Sequence, residues 1–69
     1  MKNKIMEKEL NNLYLYGIKV FDNDENFYKW LKLPNIVLGG EIPQKLLETI
    51  DGISIVKNVL VRIEYGVYS

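Results

Sequence analysis

From Trp30 onward the chain alternates apolar residues at helical spacing with isolated glycines and prolines: Pro34, Gly39-Gly40, Pro43, Gly52 and Gly66. Proline fixes φ and removes a backbone donor, whereas glycine enters conformations closed to other residues. Each of these positions therefore stands where a short helix should stop or start. The apolar residues between them stand where a helix should face inward. This pattern specifies a compact helical module in which no segment is long.

Size sharpens the constraint. Sixty-nine residues make at most one domain, and at this size a hydrophobic core alone supplies about 3–5 kcal/mol of net stability. Chains this short often add disulfides, a metal or a partner surface. With no cysteine and no histidine, the first two supports are largely removed, which raises the weight of a partner, either another copy or a different protein. Hydrophobic residues at 48% and charged residues at 26% suit a folded protein rather than a disordered one.

Along the chain, Met6, Leu10, Leu13, Gly17 and Phe21 recur at steps of three or four, with Tyr14 and Ile18 widening the stripe. The spacing predicts an amphipathic helix from about Lys4 to Phe21. Gly17 lies on its apolar face, where it admits a close neighbour. Asp22 followed by Glu25 forms a candidate capping box for the next helix, which holds Phe27, Trp30 and Leu31 on one face and ends before Pro34. Asn35 to Ile42 reads as a loop. Its Gly39-Gly40 pair allows unusual backbone angles or close packing, since no preceding strand or following Lys-Ser or Lys-Thr supports a phosphate cradle.

Pro43 suits the first turn of a third helix, with Leu46, Leu47 and Ile50 as its buried edge. Either Thr49 or Ser54 can cap a fourth. In that helix Ile53, Val56, Leu60 and Ile63 step at three and four with Val59 alongside, and Gly66 follows its end. The β-branched content would also suit a strand, but the spacing and the flanking glycines favour helix. Val67-Tyr68-Ser69 leaves as a short apolar tail. The expected fold is all-α: a small single domain of about four short helices, with an amino-terminal amphipathic helix (1–21) forming one structural unit with the rest (22–69).

The parts that carry chemistry are mostly missing. No histidine can serve as a general base near neutrality and no cysteine as a nucleophile or soft metal ligand. Asp22, Asp24 and Glu25 read as helix-start acids rather than as a cation loop, which needs more oxygen donors at fixed alternation. No catalytic residue, metal site or cofactor is expected, and enzyme activity is not.

Nine basic residues balance nine acidic ones. Proteins held by phosphate contacts carry a basic footprint that this chain lacks, so direct DNA binding is not expected. Lys2, Lys4 and Lys8 are diluted by Glu7 and Glu9. No apolar run approaches the roughly 20 residues of a membrane span, and the amino terminus lacks the apolar segment of a signal peptide. The cytoplasm is the expected compartment. Among the aromatic residues, Trp30 reads as core. Tyr65 and Tyr68 bracket the last helix end beside Arg62, and Tyr and Arg are enriched among residues that dominate binding energy. They form a candidate contact patch, with the alternative that Arg62 only complements the negative helix terminus.

The region from about Phe21 to Tyr68 carries Trp30-Leu31, Pro34-Asn35, Leu38-Gly39-Gly40, Pro43, Leu46-Leu47, Thr49, Gly52, Val56, Leu60, Arg62-Ile63 and Gly66-Val67 in order. This ordered set resembles the toxin-binding domain of the Xre/MbcA/ParS antitoxin family. The resemblance implies a partner, a RES-domain toxin that depletes nicotinamide dinucleotide. It also implies a mode of action, in which the antitoxin packs on the toxin and obstructs its active-site cleft with its carboxyl-terminal region. Carried onto this chain, Arg62, Glu64, Tyr65, Gly66 and Tyr68 become the toxin-contact candidates. Trp30, Leu31, Pro34, Leu38, Gly39, Gly40, Pro43 and Gly52 become structural positions, the Leu38-Gly39-Gly40 turn being structural or a secondary contact.

Family members typically carry a helix-turn-helix domain, for which the residues before this match leave no room. Autorepression is therefore not expected of this chain, which is either an isolated domain of a longer protein or a short antitoxin. Two other readings compete: a homo-oligomerisation module and a fragment of a transcriptional regulator without its DNA-binding domain. An apolar face of Leu10, Leu13 and Tyr14 on the first helix would serve self-association and toxin binding alike.

Overall fold

Four helices follow one another in a computed structural model that describes residues 4–66: α1 (Lys4–Phe21), α2 (Asp24–Leu31), α3 (Pro43–Leu46) and α4 (Ile50–Glu64). A 3₁₀ turn, Ile36–Leu38, lies between α2 and α3. No strand forms among the described residues. The all-α expectation and the bounds of the first helix agree with this structure.

α1 and α4 form the frame. A groove between their amino-terminal halves is lined by Ile5, Glu9, Ile50 and Lys57, while Tyr16 meets Glu64 further along both helices. The two helices therefore lie side by side in the same direction. Their apolar stripes close over a core of Leu13, Phe27, Leu31, Leu47, Ile53, Val56 and Leu60. Each such side chain taken fully from water contributes about 1.5–3 kcal/mol before the entropy cost of ordering the chain.

The α1–α2 corner is built on a close approach that a glycine permits. A Cβ on Gly17 would stand 2.2 Å from the Phe27 ring, so the missing side chain is what lets that ring reach the helix backbone. Phe27 is fully buried and other rings surround it: Tyr14 edge-on at 5.7 Å, Phe21 at 5.8 Å and Trp30 at 6.3 Å. Edge-to-face and offset ring pairs contribute about 0.5–1.5 kcal/mol each beyond their area. Trp30 packs against the core but is only partly buried, and the fully buried ring of this cluster is Phe27.

Three sequence expectations need correction. The cap of α2 is Asn23, whose Oδ1 accepts the Asn26 N–H at 2.9 Å, rather than an Asp22–Glu25 box. Asp22 itself turns the chain with φ 55°, a conformation that Asp tolerates better than most residues. Asp24 and Glu25 still fall in the first turn, where the helix dipole favours them.

The third helix is a single turn, and Ile50 is not on its edge. Thr49 caps α4 by accepting the Gly52 N–H at 2.9 Å, which makes Ile50 the first residue of α4 and leaves it 42% exposed. Thr49, not Ser54, is therefore the cap. The turn from α3 into α4 is tight because a Cβ on Gly52 would fall 1.6 Å from the Leu46 carbonyl oxygen.

The third correction concerns the apolar face assigned to self-association. Leu13 is buried and Leu10 and Tyr14 pack against the core, because α4 and α2 cover that side of α1. The exposed large apolar residues of α1 are Ile5 and Leu15 instead.

Candidate functional site

The loop expected between Asn35 and Ile42 is an ordered turn organised by Asn35. This residue is only 9% exposed, and its Oδ1 accepts the Val37 N–H at 2.8 Å. Its carbonyl oxygen accepts the N–H groups of Leu38 at 3.0 Å and Gly40 at 2.8 Å, and its own N–H donates to the Glu41 carbonyl at 3.0 Å. Asn35 and Glu41 thus form an isolated antiparallel bridge that closes the turn. Gly39 and Gly40 make the return with φ 69° and 89°. A Cβ at either would meet nothing within 4 Å, so this diglycine is required by backbone angle and not by close packing.

The turn lies against the carboxyl-terminal half of α4. Val37 and Leu38 on one side and Ile55, Asn58, Val59 and Arg62 on the other line a groove of about 170 Å³. Val59 forms its buried floor, and Ile36, the residue before Val37 in the turn, is 94% exposed. Among the described residues the Arg62 side chain has no hydrogen-bond or ion-pair partner.

α4 ends as its sequence suggests. The Tyr65 N–H reaches back to the Val61 carbonyl and the Gly66 N–H to that of Ile63, both at 3.1 Å. Gly66 takes φ 68°, the left-handed conformation that terminates helices.

The contact candidates divide between two sides of this helix end. Residues two apart on a helix are separated by roughly 200° around the axis, so Arg62 faces the groove while Glu64 points toward α1. There the Tyr16 hydroxyl donates a hydrogen bond to Glu64 Oε1. The Tyr16 phenol is pushed up to about 12, chiefly because that bond needs its proton, and further by burial and by the charges of Glu64 and Tyr65. Tyr65 is 73% exposed at the tip. Tyr68 lies outside the described residues. The structure thus joins Arg62 to the Leu38 turn, gives Glu64 an internal partner and leaves Tyr65 and Gly66 at the end.

The other motif positions differ in burial. Leu31, Pro43 and Gly52 are buried, and Trp30 and Leu38 are partly so. Pro34 is exposed just beyond the end of α2. Sequence reasoning missed the roles of Asn35, Ile36, Ile55 and Tyr16. An Asn before a short apolar run and a diglycine is a readable turn signal, whereas nothing local marks Tyr16 as the partner of a residue 48 positions away.

Among the described residues no three His, Cys, Asp or Glu side chains stand together as metal ligands, and no helix is long and apolar enough to cross a membrane. The end of α4 carries exposed aromatic and guanidinium groups, Tyr65 and Arg62, with the aliphatic Ile55 exposed on the same helix.

Comparison with known proteins identifies the domain as a whole. A profile of the family described as antitoxin Xre/MbcA/ParS C-terminal toxin-binding domain matches residues 17–66. No curated protein and no solved structure matches the chain. The profile begins at Gly17, against which Phe27 packs, and closes at Gly66, which ends α4. Because the match covers well over half of the chain, this protein belongs to the Xre/MbcA/ParS antitoxin family through its toxin-binding domain.

Proposed function

We propose that this chain is a non-enzymatic antitoxin module that neutralises a RES-domain toxin by packing against it and obstructing its active-site cleft. The single observation that carries the reading is the exposed end of α4 within a toxin-binding domain: an Arg62 side chain with no partner among the described residues and Tyr65 at 73% exposure. Aromatic and guanidinium groups held on a rigid helix lose little entropy on docking and dominate many interfaces. Arg62 supplies a charge for a carboxylate or phosphate edge, and Tyr65 supplies a broad apolar surface with a hydroxyl tip. Glu64 lies on the other side of the helix end, where Tyr16 holds it against α1.

Co-expression with a RES-domain toxin encoded beside this chain, followed by affinity capture and measurement of cellular dinucleotide, tests the reading. Co-purification with restored dinucleotide supports direct inhibition. Absence of both a complex and a rescue removes it.

Self-association is a second reading, favoured by Ile5 and Leu15, which are 67% and 69% exposed on α1. Sedimentation showing a strict monomer at high concentration would eliminate it.

A further inference from the structure

We infer that the groove between the 3₁₀ turn and α4 seats a partner segment that lays apolar side chains over Ile36, Leu38 and Ile55 and pairs a carboxylate with Arg62. The inference rests on the antitoxin reading in one respect: the toxin is taken as the source of that segment.

The exposure of Ile36 is built into the fold. The turn that carries it is closed by the hydrogen bonds of Asn35 to Val37, Leu38, Gly40 and Glu41, so the side chain has no route to collapse into the core. A bulky β-branched residue left 94% exposed on a pre-ordered turn gains from a partner what the fold does not supply. Docking there also orders little additional chain. Ile55, 46% exposed on α4, lines the same groove, and the buried Val59 forms its floor.

The charge of the groove selects the occupant. Among the described residues its lining holds one charged side chain, Arg62, and no acid. The groove between α1 and α4 carries both Glu9 and Lys57, and the one beside α3 carries Lys32, Lys45 and Glu48, so each of those balances its own charge in part. The turn–α4 groove therefore discriminates by sign, favouring an acidic partner and repelling a basic one. A second copy fits poorly. A two-fold pairing of this groove on itself would set one Arg62-bearing lining against another, with no acid among the described lining residues of either.

The test uses the whole chain and a display library of short amphipathic helical peptides selected on it. Enriched peptides should combine apolar residues with Asp or Glu. They should lose about tenfold or more in affinity against Ile36→Asp and Arg62→Glu, while Leu15→Asp, exposed on α1, should leave binding unchanged. Selection on Arg62→Glu should enrich Lys or Arg instead. Both groove positions are at the surface, and circular dichroism verifies that the variants melt as the parent does. No enriched peptide, equal binding to the groove variants, or a selected surface on a second copy of the chain would overturn the inference. A groove-bound peptide should also displace a RES toxin from its complex. A toxin that stays bound overturns the toxin as occupant and leaves the antitoxin reading intact. If no toxin is captured while the peptide results hold, the groove is upheld and the antitoxin reading falls.

Discussion

The hydroxyl of Tyr16 donates a hydrogen bond to the carboxylate of Glu64, joining the second half of α1 to the last residue of α4. The bond needs a protonated phenol, and the folded-state pKa rises from 10.0 to about 12 in consequence. A group whose pKa is raised on folding stabilises the fold fully below its unfolded value and loses that contribution as pH climbs through its folded value. The stabilisation from Tyr16 is therefore complete below pH 10.0 and decays toward about 12. Because the pair is near the surface, its contribution is small, about 0.5–1 kcal/mol. Urea denaturation of the parent and Tyr16→Phe across this range checks the sign: the gap between them should close as the pH rises. A gap that widens would contradict it.

Two glycines are predicted to resist replacement for different contacts. Gly17→Ala should gain about 1 kcal/mol of helix propensity but push a methyl group into the Phe27 ring, which is locked among Tyr14, Phe21 and Trp30. The expected net loss is about 1–3 kcal/mol. Gly52→Ala meets the backbone carbonyl of Leu46, which has less freedom to move. Against a total of about 3–5 kcal/mol for a domain of this size, it should leave much of the chain unfolded at 25 °C. Thermal melts of the two variants should rank Gly52→Ala as the worse.

Asn35→Ala removes the acceptor for the Val37 N–H in a half-enclosed turn. It should cost about 1 kcal/mol and speed amide exchange at Val37 more than in α4. Equal exchange in parent and variant would show that the backbone hydrogen bonds alone hold the turn.

Gly39→Asn should be milder than Gly39→Val. The residue needs φ 69°, and nothing crowds a side chain there. The left-handed conformation costs most residues about 1–2 kcal/mol, Asn less, and β-branched residues most. Matched melting temperatures for the two variants would contradict a conformational origin.

Arg62→Ala and Tyr65→Ala should each weaken toxin binding by about tenfold or more, with melting temperatures close to the parent, because neither side chain supports the core. Glu64→Gln should change binding less, since an amide oxygen can still accept from Tyr16. Isothermal titration against the toxin measures all three. Unchanged affinity in the first two would move the contact site away from the end of α4.

The four-helix order, the stripe of α1, the buried steps of α4 and the stop at Gly66 were legible in the sequence. Each depends on residues within a few positions of one another, where apolar spacing, proline geometry and glycine conformation act directly on the local chain. Errors fell where two local signals competed: Asp22 against Asn23 as a cap, and Ile50 as the end of one helix or the start of the next. One side-chain hydrogen bond decided each case. The candidate site was legible as a segment but not as a surface. Helical rotation sends Arg62 to the groove and Glu64 to α1, and only the packing of α1 on α4 brings Tyr16 to that carboxylate. Likewise, the exposure of Ile55 follows from which face α4 turns inward. That choice belongs to the tertiary structure, because the core must close over Phe27 and Leu60, and whatever remains outside becomes the surface a partner can use.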